Sequence, residues 1–373
     1  MAAPHVPQTD PRAGYLEQRA EIDAAIARAL ASGVYILGPE VEAFEAEFAD
    51  FLGAGHAVGL ASGTDALVLG LKALGVGPGD GVVTVSHTAV ASVAAIELVG
   101  AVPILVDVEP ETFTMDPSDL EAVLQGPPVP IKAVVPVHLY GQPAAMGEIC
   151  ELAAGHGAAV LEDACQAHGA ALGGRRAGRF GALAAFSFYP TKNLGALGDG
   201  GALVTHDPDL AETVRSLRQY GWGRRYVSEI AGMNSRLDEL QAAILRARLI
   251  RLDAQNGRRR EIAERYRQGL AGLALILPVE RPGAVHVWHQ FVVRLEDRER
   301  VREALAERGI GTGVHYPQPV HRQPAYAGRL ATGPARLAAT EALAGRILSL
   351  PIYPQMKADA VDRVVEALCA VIR

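Results

Sequence analysis

Short apolar runs alternate with segments of helical periodicity through the first two thirds of the chain. The runs predict seven strands, at residues 57–60, 82–85, 102–106, 133–137, 159–161, 184–188 and 202–205. In most of the segments that follow them, apolar residues recur every three or four positions, as in a helix with one buried face. Near-continuous apolar strands joined by helical crossovers are typical of a parallel sheet covered on both faces. We therefore expect an α/β fold with a large, mostly parallel, seven-stranded sheet.

The pattern changes after about residue 221. A long helical pattern covers residues 237–270, and beyond it we expect a strand at 286–295, a helix at 298–308, a strand at 312–315 and terminal helices. Strands and helices that do not alternate strictly are typical of an α+β unit. We therefore predict a large domain over residues 1–251, which includes an N-terminal helix at 16–31, and a small C-terminal α+β domain over residues 252–373.

Composition excludes several classes of protein. Of the 373 residues, 49% are hydrophobic and 21% are charged, which excludes a disordered chain. The net charge of −7 argues against nucleic acid as the main partner. The chain has no uncharged apolar run long enough to span a membrane, and residues 1–5 do not begin a signal peptide, so we expect a cytoplasmic protein with no membrane partner. Its three cysteines lack C-x-x-C spacing, so we expect no metal site.

Ser62, Gly63 and Thr64 lie between a predicted strand and the helix that begins near Ala66. The free amides and the positive end of the dipole at such a helix start suit a phosphate. Serine and threonine are also common helix caps, so a simple capping turn explains the same residues.

Asp163 and Gln166 follow another predicted strand. Open parallel sheets bind ligands at the carboxyl ends of their strands, and residues three apart on one helical turn can face the same ligand. An ordinary exposed strand end explains the pair equally well.

Lys192 follows Ser187 in the turn between a predicted strand and the glycine-rich residues 195–201. Partial desolvation in such a turn lowers the pKa of a lysine and makes its amine nucleophilic toward an aldehyde. A lone loop lysine is usually only a charge. Together with the helix start and the strand-end acid, however, it completes what pyridoxal 5′-phosphate (PLP) needs: a Schiff-base lysine, an acid for the pyridine nitrogen, and amides and a hydroxyl for the phosphate.

These segments closely resemble the sugar aminotransferases of the DegT/DnrJ/EryC1/StrS family. The resemblance extends from about residue 33 to residue 352. The motifs that carry it are residues 61–67 (ASGTDAL), 137–141 (VHLYG), 162–169 (EDACQAHG), 187–193 (SFYPTKN) and 234–243 (NSRLDELQAA). It implies the aspartate-aminotransferase fold (type I), PLP as the cofactor, and transaminase activity.

The resemblance also implies a role for each residue at the reacting end of the cofactor. Lys192 forms the Schiff base with the cofactor and then moves the proton during transamination. Asp163 pairs with the pyridine nitrogen, and Gln166 approaches the ring hydroxyl.

At the other end, the resemblance assigns the phosphate to Ser62, Gly63, Thr64 and Ser187. Asn234 is implied to reach the same phosphate from the neighbouring subunit, so the active unit is expected to be a homodimer with shared active sites.

One position departs from the family pattern. Relatives commonly place an aromatic residue after Thr88, where it stacks on the cofactor ring, but this chain has Ala89 there. We expect His87 to provide the stacking face instead, because it is the only ring in this loop. The alternatives are a histidine without ligand contact and a ring that is covered more loosely.

The family transfers an amino group, usually from L-glutamate, to a keto sugar that is linked to a nucleotide. The motifs at residues 137–141, 234–239 and 315–321 look most like members that act on dTDP-3-keto-6-deoxyhexoses. We therefore expect a dTDP-3-amino-3,6-dideoxyhexose as the product. A 4-keto dTDP or GDP sugar, a UDP-3-keto uronic acid sugar and a cyclitol remain alternatives.

Candidate substrate contacts lie in loops, which often carry binding residues on a rigid scaffold. Each is equally well explained by loop packing or surface charge. Arginines between residues 218 and 225 are candidates for the diphosphate, because a guanidinium matches phosphate geometry. The candidates are Tyr35, Arg218, Tyr220, Arg224, Arg225, His315, Tyr316 and His321.

Other classes of protein are disfavoured by particular residues. The dehydratases of the family carry histidine in place of the Schiff-base lysine, whereas this chain has Lys192. A non-catalytic regulator of the same fold would be expected to lose Lys192 or Asp163, and both are present. A nicotinamide-dependent dehydrogenase would need G-x-G-x-x-G after the first strand, where this chain has residues 61–64 (ASGT).

Overall fold

The computed structural model describes residues 5–372, so residues 1–4 and Arg373, the ends of the two predicted domains, lie outside the described part. The α-helices are α1 (Pro11–Glu17), α2 (Arg19–Ser32), α3 (Pro39–Leu52), α4 (Gly63–Ala73), α5 (Val90–Leu98), α6 (Pro117–Gln125), α7 (Met146–Gly155), α8 (Pro208–Leu217), α9 (Glu239–Leu249), α10 (Leu252–Gly269), α11 (Arg298–Glu307), α12 (Ala338–Ala344) and α13 (Ala358–Ile372). The strands are β1 (His56–Leu60), β2 (Gly81–Val85), β3 (Val102–Val106), β4 (Ile131–Val134), β5 (Ala159–Asp163), β6 (Ala171–Leu172), β7 (Arg175–Arg176), β8 (Leu183–Ser187), β9 (Gly201–Thr205), β10 (Trp222–Arg224), β11 (Val227–Ser228), β12 (Ala284–Val285), β13 (Phe291–Arg294), β14 (Ala331–Thr332) and β15 (Ile347–Leu350).

The main sheet has the strand order β1-β9-β8-β5-β4-β2-β3-β14. All seven predicted strands are in it, and within the described part of this sheet only β9 runs antiparallel to its two neighbours. The sheet has eight strands rather than seven because the two-residue β14, from the C-terminal part of the chain, pairs with β3. Two residues are too few to give a period-2 pattern that a sequence could show.

Helices cover both faces of this sheet, as its nearly continuous apolar strands predict. One face is packed by a cluster that includes Leu67 and Leu71 of α4 and Ile96 of α5. On the other face four phenylalanines, Phe44, Phe48, Phe186 and Phe188, contact each other with ring centroids 5.1–5.5 Å apart. Ser187 ends β8 and lies between Phe186 and Phe188, so along the extended chain it points to the side opposite the two rings.

The C-terminal part of the chain has its own apolar cluster, which surrounds the β13–β15 ladder and includes Tyr266, Phe291 and Leu368. Val6 from the N-terminal segment also packs in this cluster. The predicted boundary between residues 251 and 252 lies between α9 and α10, and it stays a prediction.

Two of the C-terminal strand predictions are wrong in extent. Within residues 286–295 only β13 is a strand, because Trp288 adopts a left-handed backbone and its ring stacks on His286 at 3.8 Å. The expected strand at 312–315 is reduced to a single bridge between Gly313 and Ser349. The long helical pattern at 237–270 is two helices, which are interrupted at Ile250 and Arg251.

Candidate active site

A cavity of about 270 Å³ opens where several strands of the main sheet end. β1, β5 and β8 run in the same direction, so their carboxyl ends meet at one edge of the sheet, where open α/β folds bind ligands. Residues predicted from the sequence that line this cavity are Ser62, Gly63, Thr64, Asp163, Gln166, Ser187 and Lys192. The structure thus brings together most of the set that the sequence assigned to the cofactor.

The start of α4 forms one end of the cavity. Ser62 caps this helix, and its hydroxyl accepts a hydrogen bond from the amide of Asp65 at 3.0 Å. A Cβ atom on Gly63 would lie 2.6 Å from Cβ of Ser187, so only glycine lets the helix start this close to β8. First-turn amides have no partner within their own helix, and together with the Ser187 hydroxyl they can bind a phosphate.

Asp163 ends β5 and is buried in the opposite wall of the cavity. Its Oδ2 accepts a hydrogen bond from the Ser92 hydroxyl at 2.8 Å, and its Oδ1 accepts one from the amide of Cys165 at 3.2 Å. Both oxygens are therefore fixed by donors, and the carboxylate can pair with a cationic group placed in the cavity.

Glu162, the neighbour of Asp163, serves the fold instead. Its carboxylate is buried and accepts hydrogen bonds from Nε2 of His138 at 2.9 Å and from the amides of Gly178, Phe180 and Gly181. Burial alone would raise the pKa of Glu162, but these hydrogen bonds outweigh it and lower the pKa. Adjacent strand residues point to opposite faces, which is why only one of the two carboxylates reaches the cavity.

Lys192 lies in the tight turn after β8, where its amide donates to the carbonyl of Tyr189 at 2.8 Å. Burial lowers the pKa of its amine, and the negative charge of Asp163 only partly opposes this. The Cys165 thiol remains protonated, because burial raises its pKa well above the usual value. A lysine with a lowered pKa is neutral more often and can add to an aldehyde.

Gln166 forms a further part of the wall. Its Oε1 accepts a hydrogen bond from the amide of Tyr140 at 2.8 Å, and its Nε2 donates to Oη of Tyr316 at 3.1 Å. Burial raises the pKa of Tyr316 to about 12, so its phenol stays protonated. His315 bonds to Ser349 through Nδ1 at 2.8 Å, and burial lowers its pKa to about 4. Tyr316, from the C-terminal part of the chain, thus contacts the cavity wall through Gln166.

Comparison with known proteins identifies the family. A profile of the DegT/DnrJ/EryC1/StrS aminotransferase family matches residues 17–369. The chain is 52% identical to the dTDP-3-amino-3,4,6-trideoxy-alpha-D-glucose transaminase of Streptomyces venezuelae, over 98% of this chain and 96% of the relative. It is 43% identical to the UDP-N-acetyl-3-dehydro-alpha-D-glucosamine 3-aminotransferase of Acidithiobacillus ferrooxidans, over 96% of both chains. The crystal structure of S. venezuelae DesV in complex with a ketimine intermediate superposes with a TM-score of 0.94 at 52% identity, and covers 98% of each chain.

This chain belongs to the DegT/DnrJ/EryC1/StrS aminotransferase family. It is an aminotransferase with the PLP-dependent fold that its sequence resembles, and PLP is the cofactor of the family. The residues of the cavity fit that cofactor. The helix start at Gly63 and the Ser187 hydroxyl suit its phosphate, the buried Asp163 carboxylate suits its ring nitrogen, and Lys192, whose pKa is lowered, suits its aldehyde.

Two histidines predicted as ligand contacts are engaged elsewhere in the aminotransferase. His87 is buried, its Nε2 lies 2.9 Å from Oη of Tyr140, and burial lowers its pKa to about 4. Among the described residues, Ala89 and not His87 lines the cavity, so the predicted stacking of His87 gains no support. His321 uses both ring nitrogens, at 2.7 Å from the Ser86 hydroxyl and 3.0 Å from Glu341.

Arg218 is also engaged inside the fold. It is buried, forms an ion pair with Glu45 and donates to the carbonyl of Gly59 at 2.8 Å. These contacts tie α8 to α3 and β1 and hold the guanidinium away from ligands. Arg218 is therefore not part of the proposed substrate site.

Three predicted residues are exposed on the surface of the chain. The exposed fractions of Tyr35 and Tyr220 are 54% and 41%. Asn234 is exposed too, and it lines a neighbouring cavity of about 480 Å³ together with Ile36 and Arg236. Asp199 lines both cavities, whereas Asn234 does not line the main cavity of its own chain.

Sequence reasoning missed several residues of the site. Thr88 and Asp199 line the main cavity, and Ser92 bonds Asp163 from behind. Ser92 lies in the first turn of α5 and Thr88 directly precedes its N-cap, and no motif of the sequence singles out either hydroxyl. Asp199 lies in the glycine-rich stretch and has no pattern of its own.

Proposed function

We propose that this aminotransferase transfers an amino group from L-glutamate to carbon 3 of a dTDP-linked 3-keto-6-deoxyhexose, in the cytoplasm. The observation that carries the proposal is the cavity in which the helix start, Ser187, Asp163 and Lys192 meet. The sugar of the 52% identical relative, a 3-amino-3,4,6-trideoxyglucose, supports carbon 3 and dTDP. Substrates with and without a hydroxyl on carbon 4 belong to the proposal.

Lys192 holds the cofactor between turnovers and moves the proton. Bound PLP supplies an electron sink that stabilises negative charge on the carbon that loses its proton. The lowered pKa of Lys192 leaves its freed amine able to accept that proton and to return it to a neighbouring carbon. Asp163, which is fixed on both oxygens, keeps the positive charge of the ring nitrogen in place.

The remaining cofactor contacts are orienting ones. The amides of Gly63 and Thr64, with the Ser187 hydroxyl, bind the phosphate at the start of α4. Gln166 is held between the Tyr140 amide and the Tyr316 phenol, and it would approach the ring hydroxyl of the bound cofactor. This arrangement fixes the cofactor at both ends.

A homodimer with shared sites is part of the proposal. Asn234 is exposed beside the apolar side chain of Ile36, whose exposed fraction is 47%. Such an exposed apolar and polar surface suits contact with a second copy of the chain. In that dimer the partner's Asn234 binds the phosphate of the neighbouring site.

The proposed sugar contacts are Tyr35, Tyr220, His315 and Tyr316, with Arg224 and Arg225 for the diphosphate. Tyr316 supports this assignment best, because it is bonded to Gln166 of the cavity wall. His321 and Arg218 are not among them, because both ring nitrogens of His321 and Nη1 of Arg218 are bonded within the chain.

A second candidate substrate is a UDP-linked 3-keto sugar. The 43% identical relative from Acidithiobacillus ferrooxidans is named for a UDP sugar and also places its amino group on carbon 3. Carbon 3 is therefore common to both candidates, which differ in the nucleotide and in the other substituents of the sugar.

The proposal is tested by product analysis with purified holoenzyme and L-glutamate. A dTDP-3-keto-6-deoxyhexose, its 4-deoxy analogue, a dTDP-4-keto-6-deoxyhexose and a UDP-3-keto sugar are supplied separately, and amino sugars are detected by mass spectrometry. We expect products from the dTDP-3-keto sugars only, and none with Lys192→Ala. A product from the UDP sugar alone favours the second candidate. Transamination by Lys192→Ala would contradict the role of Lys192.

A further inference from the structure

We propose that Ser92 is a positioning residue that fixes the Asp163 carboxylate toward the cofactor, and that Thr88 in turn fixes Ser92. This inference rests on the proposed pairing of Asp163 with the cofactor ring. It assigns a function to two hydroxyls that the sequence motifs do not identify.

The contacts that carry the inference are short and enclosed. The Ser92 hydroxyl lies 2.8 Å from Oδ2 of Asp163, and the two residues are 1% and 5% exposed. Oδ1 receives only a longer bond, 3.2 Å, from the Cys165 amide. Ser92 therefore provides the stronger of the two donors that set the orientation of the carboxylate, in a place from which water is excluded.

The direction of the hydrogen bonds follows from chemistry. An ionised carboxylate only accepts, so the Ser92 proton must point to Asp163. The Thr88 and Ser92 hydroxyls lie 3.0 Å apart, and because the proton of Ser92 is already used, Thr88 must be the donor between them. The result is an oriented chain from Thr88 through Ser92 to Asp163. Thr88 lines the cavity, whereas Ser92, among the described residues, lies behind it.

The location of Ser92 on α5 supports a role outside the helix. It lies in the first turn of α5, whose N-cap is Ala89 and has no side-chain cap. A hydroxyl near a helix start commonly caps the helix, but that of Ser92 is directed to Asp163 instead.

The test compares Ser92→Ala with Ser92→Thr, which keeps the hydroxyl. Thr84→Val is the matched control, because it removes a buried hydroxyl of the sheet that bonds the carbonyl of Val135 at 2.9 Å, outside the site. Holoenzyme of each variant is titrated with alkali while the visible band of the cofactor on Lys192 is recorded. The rate constant and the half-saturating concentration of the half-reaction with L-glutamate are measured separately.

For Ser92→Ala we expect the midpoint of the titration to rise. A loosely held Asp163 leaves the ring nitrogen less positively charged, so the nitrogen that joins Lys192 to the cofactor keeps its proton to higher pH. The half-reaction rate constant should fall about tenfold to a hundredfold, as for a lost hydrogen bond to a charged group, while half-saturation changes little. Ser92→Thr should restore both values, and Thr84→Val should leave both at the wild-type level.

A wild-type titration and rate in Ser92→Ala would overturn the proposal. Equal changes in Ser92→Ala and Thr84→Val would also overturn it, because they would indicate general loosening of the sheet. If Ser92→Ala does not fold, the Ser92→Thr and Thr88→Val variants decide, and Thr88→Val should shift the midpoint in the same direction. An Asp163→Asn variant with unchanged spectrum would instead contradict the proposed role of Asp163. These readouts use no sugar, so they do not depend on the proposed substrate.

Discussion

Three histidines that interact with Lys192 carry no positive charge at neutral pH. Burial lowers the pKa of His168 to about 3 and that of His315 to about 4, and it lowers the pKa of His289 well below its usual value. If these imidazoles were charged they would depress the pKa of the lysine further. The lowered pKa of Lys192 is therefore chiefly a consequence of burial.

The stability of the apoprotein should report this burial. The pKa of Lys192 is lower in the folded chain than in the unfolded chain, where it is about 10.4. Between these two pKa values the folded chain binds fewer protons than the unfolded chain. The contribution of Lys192 to stability therefore rises with pH across that window and is unfavourable at neutral pH. We expect Lys192→Met apoprotein to have a higher free energy of unfolding in urea than wild type at neutral pH, with a difference that shrinks as the pH rises. A less stable variant at neutral pH would contradict the burial argument.

Residue types predicted most of the site, but not which way each side chain points. Lysine, acid and glycine spacing identified Lys192, Asp163 and Gly63 correctly as neighbours. The same spacing did not show that Arg218 is buried against Glu45, because a surface arginine and a buried one have the same sequence pattern until the partner is known.

At the scale of elements, the site depends on how closely α4 approaches the sheet. A Cβ on Gly63 would meet Ser187, and a Cβ on Gly201 would lie 2.3 Å from the carbonyl of Ser62. β8 and β9 thus hold the start of α4 from both sides, which fixes the amides that face the cavity.

Gly63→Ala should therefore disturb the phosphate end of the cavity. The added methyl group must push α4 away from Ser187, and overpacking of this kind costs about 1–3 kcal/mol. We expect weaker PLP binding, measured as a higher dissociation constant for apoprotein titrated with PLP, together with a lower free energy of unfolding. Gly77→Ala is the matched control, because a Cβ there meets no atom within 4 Å and should change neither value. Wild-type PLP affinity in Gly63→Ala would contradict this close approach.

Elements with a clear hydrophobic pattern were predicted from the sequence, whereas elements that depend on a single local contact were not. The seven long strands are near-continuous apolar runs, and α11 (Arg298–Glu307) matches its predicted range closely. The expected strand around Trp288 fails because the amide of Trp288 donates to Nδ1 of His286, which bends the chain locally. A bond of this kind leaves no trace in the hydrophobic pattern.

At the scale of the whole molecule, the C-terminal part of the chain is bonded to the main sheet and to the wall of its cavity. Tyr316 bonds Gln166, His321 bonds Ser86, and β14 (Ala331–Thr332) extends the sheet beside β3. These contacts link residues that are at least 150 positions apart, which no local pattern of the sequence predicts. No helix within residues 5–372 has the length and apolar character needed to cross a membrane.

The shared site of the proposed dimer predicts complementation between two inactive variants. Lys192→Ala removes the reacting amine, and Asn234→Asp places a negative charge against the phosphate, so each homodimer should be inactive or nearly so. In a mixed dimer one site carries Lys192 from one chain and Asn234 from the other. Random mixing of the subunits should therefore recover about a quarter of the wild-type activity. No recovery, despite mixed dimers seen by native mass spectrometry, would show that Asn234 serves its own chain or none.

The most direct test of the proposed function is a half-reaction followed by absorbance. Holoenzyme is first converted to its pyridoxamine form with L-glutamate, and excess amino acid is removed. A dTDP-3-keto-6-deoxyhexose or a dTDP-4-keto-6-deoxyhexose is then added to separate samples. The return of the visible band of Lys192-bound cofactor with the 3-keto sugar alone is the expected result. Its return with the 4-keto sugar alone would contradict transfer to carbon 3.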